Sequence, residues 1–149
     1  MRKLFKQWLF DNPITIKKKV KGKEIEVNGI NIYGIEGIPK MLFFSVNRFT
    51  SIDRRLHTLV EIQKRINPFE SSDDKTLQEC RWSFHSAICH HGRSLYSGHY
   101  YSLLSLDDGF YLFNDLMEPS LQPVKLGSNS ITRSIKQEVV FLIYALEDK

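Results

Sequence analysis

The sequence has no long apolar run: nothing in it approaches the ~18 consecutive apolar residues that a membrane-spanning helix requires. It holds only two cysteines, Cys80 and Cys89, with no CxxC pair and no even set of four or six. That excludes a disulfide framework and fits a reducing compartment with both thiols free, so the expected location is intracellular, cytoplasmic or nuclear. Internal repeats are absent, and the only biased stretch is a short lysine run. A secretory leader is not expected either. Lys6 and Gln7 interrupt the apolar residues after Met1-Arg2-Lys3, and no small-residue cleavage site follows.

What remains is an ordinary globular composition. With 149 residues, 42% hydrophobic and 26% charged, the chain suits one domain with its own core. The net charge of +4 is unevenly spread. Residues 1–23 carry eight Lys/Arg against Asp11 alone, giving +7; residues 24–149 carry thirteen against sixteen acids, giving −3, and the two sum to +4. The basic character belongs to an arm, not to the body. No aromatic residue interleaves with the lysines of residues 17–23 to stack bases, which argues against nucleic acid as a partner. A membrane partner is not expected. A scaffold using its basic arm on nucleic acid or anionic membrane is the weakest alternative.

Periodicity divides the chain into a basic N-terminal helix and edge strand at 1–23 and a body at 24–149. Leu4, Phe5, Trp8 and Leu9 share one helical face, and Asn12-Pro13 stops that helix. Ile14, Ile16, Lys18 and Val20 alternate with lysines outward, an edge-strand pattern. Asn28-Gly29 between Ile25/Val27 and Ile30/Ile32 predicts a tight hairpin. Residues 41–46 form a near-continuous apolar run, expected as a central strand covered on both faces. Residues 50–55 read as a polar loop, 56–62 as a strand, 71–75 as a solvated loop and 82–89 as a strand. Two strands, 99–106 and 110–113, flank a hairpin turn at Asp108-Gly109. Residues 128–136 suggest one helical turn and 139–146 a last strong strand. The class is α+β, β-rich and antiparallel.

Four of the five histidines lie between positions 85 and 99, with Cys89 among them. A metal site is not expected, because adjacent His90 and His91 point to opposite faces of a strand and no second cluster supplies a matching pair. No cofactor is implied. His99 is the better candidate, as a base at the start of a strand just after Ser97-Gly98. A two-residue Asp108-Gly109 turn puts Asn114 opposite Leu103, on the face of His99, while a three-residue turn puts Asp115 there instead. Four strand residues span roughly 13 Å, so a His–Asn bond needs a bulge or strong twist. Such a pair is what a cysteine protease needs besides its nucleophile: an imidazole to draw the thiol proton and an amide or carboxylate to hold the ring.

The string His90-His91-Gly92, then Ser97-Gly98-His99-Tyr100-Tyr101, then Tyr111-Leu112-Phe113-Asn114-Asp115, resembles the histidine box of the ubiquitin-specific proteases. Upstream, residues 38–49 (Ile38-Pro39 to Arg48-Phe49) resemble that family's strand ending in R-F, and residues 139–144 resemble its closing strand. The resemblance implies a β-rich, palm-like sheet of a papain-like cysteine protease that cradles ubiquitin or a ubiquitinated protein and feeds the ubiquitin tail into a cleft. It implies His99 as general base, Asn114 as the residue that holds it, and Asp115 as a supporting acid. His91, Gly92, Ser97, Gly98 and Tyr100 would line the tail, and residues 50–55 and 91–98 would correspond to two loops over it. Core packing is expected for most of Trp82, Phe84, Tyr101, Tyr111 and Phe113, hydrogen-bonded structural roles for His85 and His90, and a solvated surface position for His57.

The departures carry equal weight. The family's nucleophile lies in an N-terminal cysteine box on a helical lobe, and nothing here resembles that box: no cysteine precedes position 80. The CxxC pairs of the family's fingers are absent, and Ile62-Gln63 stands where F-P is expected. Cys89 late in an apolar strand and Cys80 after an acidic loop have no cation or helix start to activate them. The expectation is therefore a ubiquitin-binding module that is catalytically incomplete, with a separate chain as a possible source of the cysteine lobe. The enzymatic alternative is a fragment of an active deubiquitinase that hydrolyses the isopeptide bond at the ubiquitin C-terminus.

Overall fold

The computed structural model describes residues 12–31, 36–52, 54–70, 72–94, 96–125 and 129–148. The helix expected at residues 4–11 lies outside them. The chain divides into two compact units, residues 1–38 with 68–79 and residues 39–67 with 80–149.

In the first unit, β1 (Asn12–Val20) and β2 (Lys23–Asn31) pair antiparallel. The turn falls at Lys21-Gly22, both with positive φ (50° and 80°), as a two-residue type I′ turn requires. The expected turn at Asn28-Gly29 is not used, and β2 runs through it. Turning at 21–22 lets nine residues pair on each arm and sets Lys17 opposite Glu26 and Lys19 opposite Glu24. Those opposite-charge pairs favour this register by ~0.2–1 kcal/mol each. The stretch read as a solvated loop leads into α1 (Lys75–Glu79). Its start is capped by Asp74, whose carboxylate accepts the N–H groups of Thr76 at 2.8 Å and Leu77 at 3.4 Å.

The second unit is built on one antiparallel sheet. Its strands are β3 (Met41–Ser45), β6 (Arg65–Ile66), β7 (Trp82–His91), β8 (His99–Leu106), β9 (Gly109–Phe113), β10 (Leu121–Val124) and β11 (Val139–Leu146). Their order is β10-β9-β8-β7-β11-β3, with β6 also paired to β7. A ribbon, β4 (Phe49–Ser51) with β5 (Arg54–Arg55), and a helix, α2 (Asn129–Glu138), complete the unit. Trp82, Phe84, Ala87, Leu103, Leu142 and Tyr144 are buried along one face of the sheet, and Ile135 of α2 is buried too. Each such large side chain contributes about 1.5–3 kcal/mol. The β-rich, antiparallel α+β class is as expected from the sequence.

Several local expectations are corrected. Residues 41–45 form an edge strand paired to β11, and Phe43 is 59% exposed. The run is apolar on both sides because its outer side chains extend a second apolar face, where Phe43 meets Phe141 at 6.1 Å between ring centroids. In register across that face lie Phe141, Ile88, Ser102, Phe113 and Leu121, with Ile88, Phe113 and Leu121 all exposed. Residues 56–62 contain no strand, and of the stretch expected as a loop at 50–55, residues 50–51 and 54–55 belong to the β4–β5 ribbon. Residues 129–138 make a ten-residue helix instead of one turn. Trp82, Phe84 and Tyr101 pack in the core as expected, whereas Phe113 does not.

Candidate active site

The β8–β9 hairpin decides which polar groups meet His99. Leu106 pairs with Gly109, so the turn residues are Asp107 and Asp108, one position earlier than Asp108-Gly109. The last pair in the ladder is Ser102 with Phe113, which aligns Asn114 with Tyr101 rather than Leu103. The offset from His99 is thereby two residues, about 7 Å, instead of four. Beyond Phe113 the chain bends. The Asn114 N–H donates to Ser120 O at 2.7 Å, and the Met117 N–H donates to Asn114 O at 3.1 Å. This bend carries the amide to the histidine, and His99 Nε2 lies 2.8 Å from Asn114 Oδ1.

The amide's orientation is set by a backbone donor. The Leu116 N–H donates to the same Oδ1 at 3.0 Å, so this atom is the acceptor and His99 Nε2 is the donor. The ring is therefore held with its proton on Nε2 and its lone pair on Nδ1. Among the described residues Nδ1 has no hydrogen-bond partner. Asp115 Oδ1 stands 3.4 Å from Nε2 on a side chain 71% exposed. The arrangement is an imidazole whose unbonded nitrogen faces away from the groups that orient the ring.

The other predicted residues gather beside it. His91 is the cross-strand partner of His99, and its Nδ1–H donates to Glu138 Oε1 at 2.7 Å. The same carboxylate accepts the Tyr101 hydroxyl at 2.7 Å through Oε2. Burial pushes the Tyr101 hydroxyl well above the ordinary phenol range. Gly92 folds back on Ser97 and Gly98: a Cβ on Gly92 would lie 2.5 Å from Ser97 O and 2.8 Å from Gly98 Cα. Ser97 Oγ meets Ser94 Oγ at 2.9 Å. A Cβ on Gly98 would lie 2.3 Å from His90 Nε2. Tyr100 is exposed, with its ring 4.6 Å from the His90 ring.

His90 departs from its expected hydrogen-bonded role. It is buried, with the Phe49 and Tyr100 rings beside it, and its Nδ1 has no partner. Burial holds its pKa below the usual imidazole value, with Arg55 acting in the same direction. His85 does bond, through Nδ1 to Ser86 Oγ at 3.1 Å, and His57 is exposed.

Neither cysteine is in a disulfide, and both are buried. Burial pushes the Cys89 thiol up to about 12, so it is a neutral packing group at physiological pH. Reading the sequence missed three residues that shape the site: Arg48, Arg55 and Glu138. Buried Arg48 donates to the carbonyls of Val139 (2.8 Å), Lys136 (2.7 Å) and Thr58. Arg55 donates to Gly92 O and His90 O. Their partners are distant in sequence, and the R-F strand motif was the only available signal, for Arg48 alone.

The chain is similar to known proteins in sequence and in fold. Residues 14–144 match the ubiquitin carboxyl-terminal hydrolase family. Over 81 residues the chain is 27% identical to Ubiquitin hydrolase B of Dictyostelium discoideum, covering 52% of this chain and 18% of that protein. Its fold is similar to a chain of the Ubp8-Sgf11-Sgf73-Sus1 SAGA DUB module, with a TM-score of 0.55 and 19% identity over 89% of this chain and 29% of that one. A chain of a yeast SAGA DUB module with a mutant Sgf73 gives a TM-score of 0.59 and 16% identity, covering 99% of this chain and 32% of the other. The chain thus spans less than a fifth of the curated relative and about a third of the solved chains.

Proposed function

The chain belongs to the ubiquitin carboxyl-terminal hydrolase family, and on that premise we propose that it is a ubiquitin-binding module, catalytically incomplete by itself. It supplies the base and the groups that orient it, and it lacks the nucleophile. The observation that carries this reading is the His99 Nε2–Asn114 Oδ1 bond of 2.8 Å, which leaves Nδ1 as the open basic nitrogen. In this reading His99 is the general base, Asn114 holds its tautomer, and Asp115 supports the imidazolium that proton transfer creates. His91, Gly92, Ser97, Gly98 and Tyr100 line the path of the ubiquitin tail. Neither Cys80 nor Cys89 serves as nucleophile, since both are buried and nothing lowers the Cys89 pKa enough to make a thiolate.

A cysteine on a separate chain, or on another part of a longer polypeptide, would complete the reaction. The thiol would give its proton to His99 and attack the carbonyl at the ubiquitin C-terminus; the C–N bond would break, the leaving amine taking the proton back from His99, and water would then hydrolyse the thioester. The second alternative, a piece of an active hydrolase, is favoured by the small share of the relatives' length that the chain spans. The exposed apolar face bearing Phe43, Ile88, Phe113 and Leu121 is consistent with either, as it offers a surface for ubiquitin or a lobe to cover.

The test is a pair of measurements on the full chain. Titration with isotope-labelled free ubiquitin should give shift changes centred on the ubiquitin tail; no change at millimolar chain overturns the binding assignment. A ubiquitin probe with an electrophilic C-terminus should leave the chain unlabelled, whereas a covalent adduct at Cys80 or Cys89 overturns the incompleteness.

A further inference from the structure

We propose that Arg55 is a positioning residue for the ubiquitin tail: it sets the neck of the 91–98 loop and, through His90, the strand start from which His99 projects. The inference rests on the reading of residues 91–98 as a tail-lining segment.

The guanidinium of Arg55 spans two backbone carbonyls of that segment, donating through Nη1 to Gly92 O at 2.5 Å and through Nη2 to His90 O at 2.6 Å. Its third nitrogen, Nε, is buried without a partner. A buried N–H left unpaired is costly, so this geometry persists because the fork to the two carbonyls and the packing outweigh that cost. The cation also sits 5.8 Å from the centre of the Phe49 ring. Phe49 in turn lies 5.9 Å from the His90 ring, and the Tyr100 ring lies 4.6 Å from it.

His90 transmits the constraint. Its Nε2 and Cε1 press on Gly98 so closely that a Cβ there would come within 2.3 and 2.8 Å of them. Gly98 immediately precedes His99. Arg55 holds both the start of the loop, at Gly92 O, and the residue against which its end rests. Gly92 packed on Ser97 O and Gly98 Cα then closes the neck. The His91–His99 rung of the β7–β8 ladder ties the strands just below the loop; beyond that rung the fork fixes where Gly92 stands, and without it the position of Gly92 against Ser97 and Gly98 rests on van der Waals contact.

The experiment compares the full wild-type chain with Arg55→Ala and Arg55→Lys. Lysine keeps the charge and most of the stem, but one ammonium cannot reproduce the planar two-carbonyl fork. The probes are ubiquitin and ubiquitin truncated of its C-terminal tail. The wild-type chain should bind the intact form more tightly. Both variants should lose that preference, with a fall of about tenfold or more for intact ubiquitin and none for the truncated form. Amide exchange should quicken at residues 92–94 and 96–98 and stay unchanged along β11.

A wild-type chain that binds both probes equally overturns the tail reading and this inference with it. A wild-type preference that Arg55→Lys retains overturns the positioning role alone and leaves the functional reading standing. If the β11 amides lose protection as well, Arg55 is a packing residue and the proposal fails.

Discussion

His99 and Asn114, fifteen positions apart, are joined by a 2.8 Å contact between Nε2 and Oδ1, and the backbone N–H of Leu116 settles which atom donates. Because Oδ1 already accepts from Leu116, the imidazole proton must sit on Nε2. His91, its cross-strand neighbour, is held the opposite way, with its proton on Nδ1 facing Glu138. Two adjacent histidines are thus fixed in different tautomers by different partners.

Long-range proton–nitrogen correlation spectra of the neutral protein should show this difference. His99 is expected to give an unprotonated Nδ1 and His91 an unprotonated Nε2. Asn114→Ala should return His99 to a mixture of tautomers at a cost of about 1 kcal/mol, the ordinary worth of one hydrogen bond. An unchanged His99 pattern in the variant would show that the amide does not orient the ring.

Gly98→Ala tests the packing of the loop neck. The added methyl meets His90 Nε2 at 2.3 Å and His91 O at 2.6 Å, one a ring with Phe49 and Tyr100 beside it and the other a backbone atom. Neither yields easily, so urea denaturation should show a loss of ~1–3 kcal/mol. In a double-mutant cycle, His90→Ala should recover part of that loss by removing the ring. Strict additivity of the two substitutions counts against the contact.

The site was more legible in the sequence than the details of the fold around it. Placing Asn114 on the face of His99 depended only on strand parity. Moving the turn from Asp108-Gly109 to Asp107-Asp108 shifts the pairing by two and leaves parity unchanged. The same shift shortened the gap that a flat hairpin would have left. The edge position of Met41–Ser45 was hidden because a strand whose outer side chains are apolar reads as central wherever it lies. Alternation in residues 56–62 mimicked a strand, but the segment is held by isolated backbone bonds rather than a ladder, Leu56 N–H to Arg48 O and Val60 N–H to Lys136 O. Arg55 and Glu138 carried no local signal, since their partners stand 35 to 47 residues away.

Cys89 makes stability fall in alkaline solution. Burial moves its pKa from 9.0 to about 12 in the folded chain, so above pH 9 the unfolded state loses its thiol proton first. The folded state then binds more protons, and stability declines as pH rises from about 9 toward 12; below pH 9 the contribution is fully present. Tyr144, raised from 10.0 to about 12 by burial, acts with the same sign over the upper part of that range. Urea midpoints followed from pH 8 to 11 should fall, and Cys89→Ala should flatten the slope by up to ~1.4 kcal/mol per pH unit. Parallel slopes for the two proteins would show that the thiol is not the group responsible.

Arg48 and Arg65 provide a contrast between a buried and an exposed guanidinium. Arg48 is 3% exposed and bonds three carbonyls, those of Thr58, Lys136 and Val139. These tie the strandless segment at 56–62 to the junction where α2 passes into β11. Arg65 meets the carboxylate of Glu147 at 2.5 Å, yet its side chain is 72% exposed. Water replaces a partner lost at the surface but not one lost in the interior. Arg48→Met should therefore cost ~3 kcal/mol or more, because three acceptors lose their donor together. Arg48→Lys should recover little, since one ammonium cannot reach three divergent carbonyls. Arg65→Met should cost no more than ~1 kcal/mol. Chemical denaturation of the three variants ranks them directly, and an equal loss for Arg48→Met and Arg65→Met would refute the bracing role assigned to Arg48.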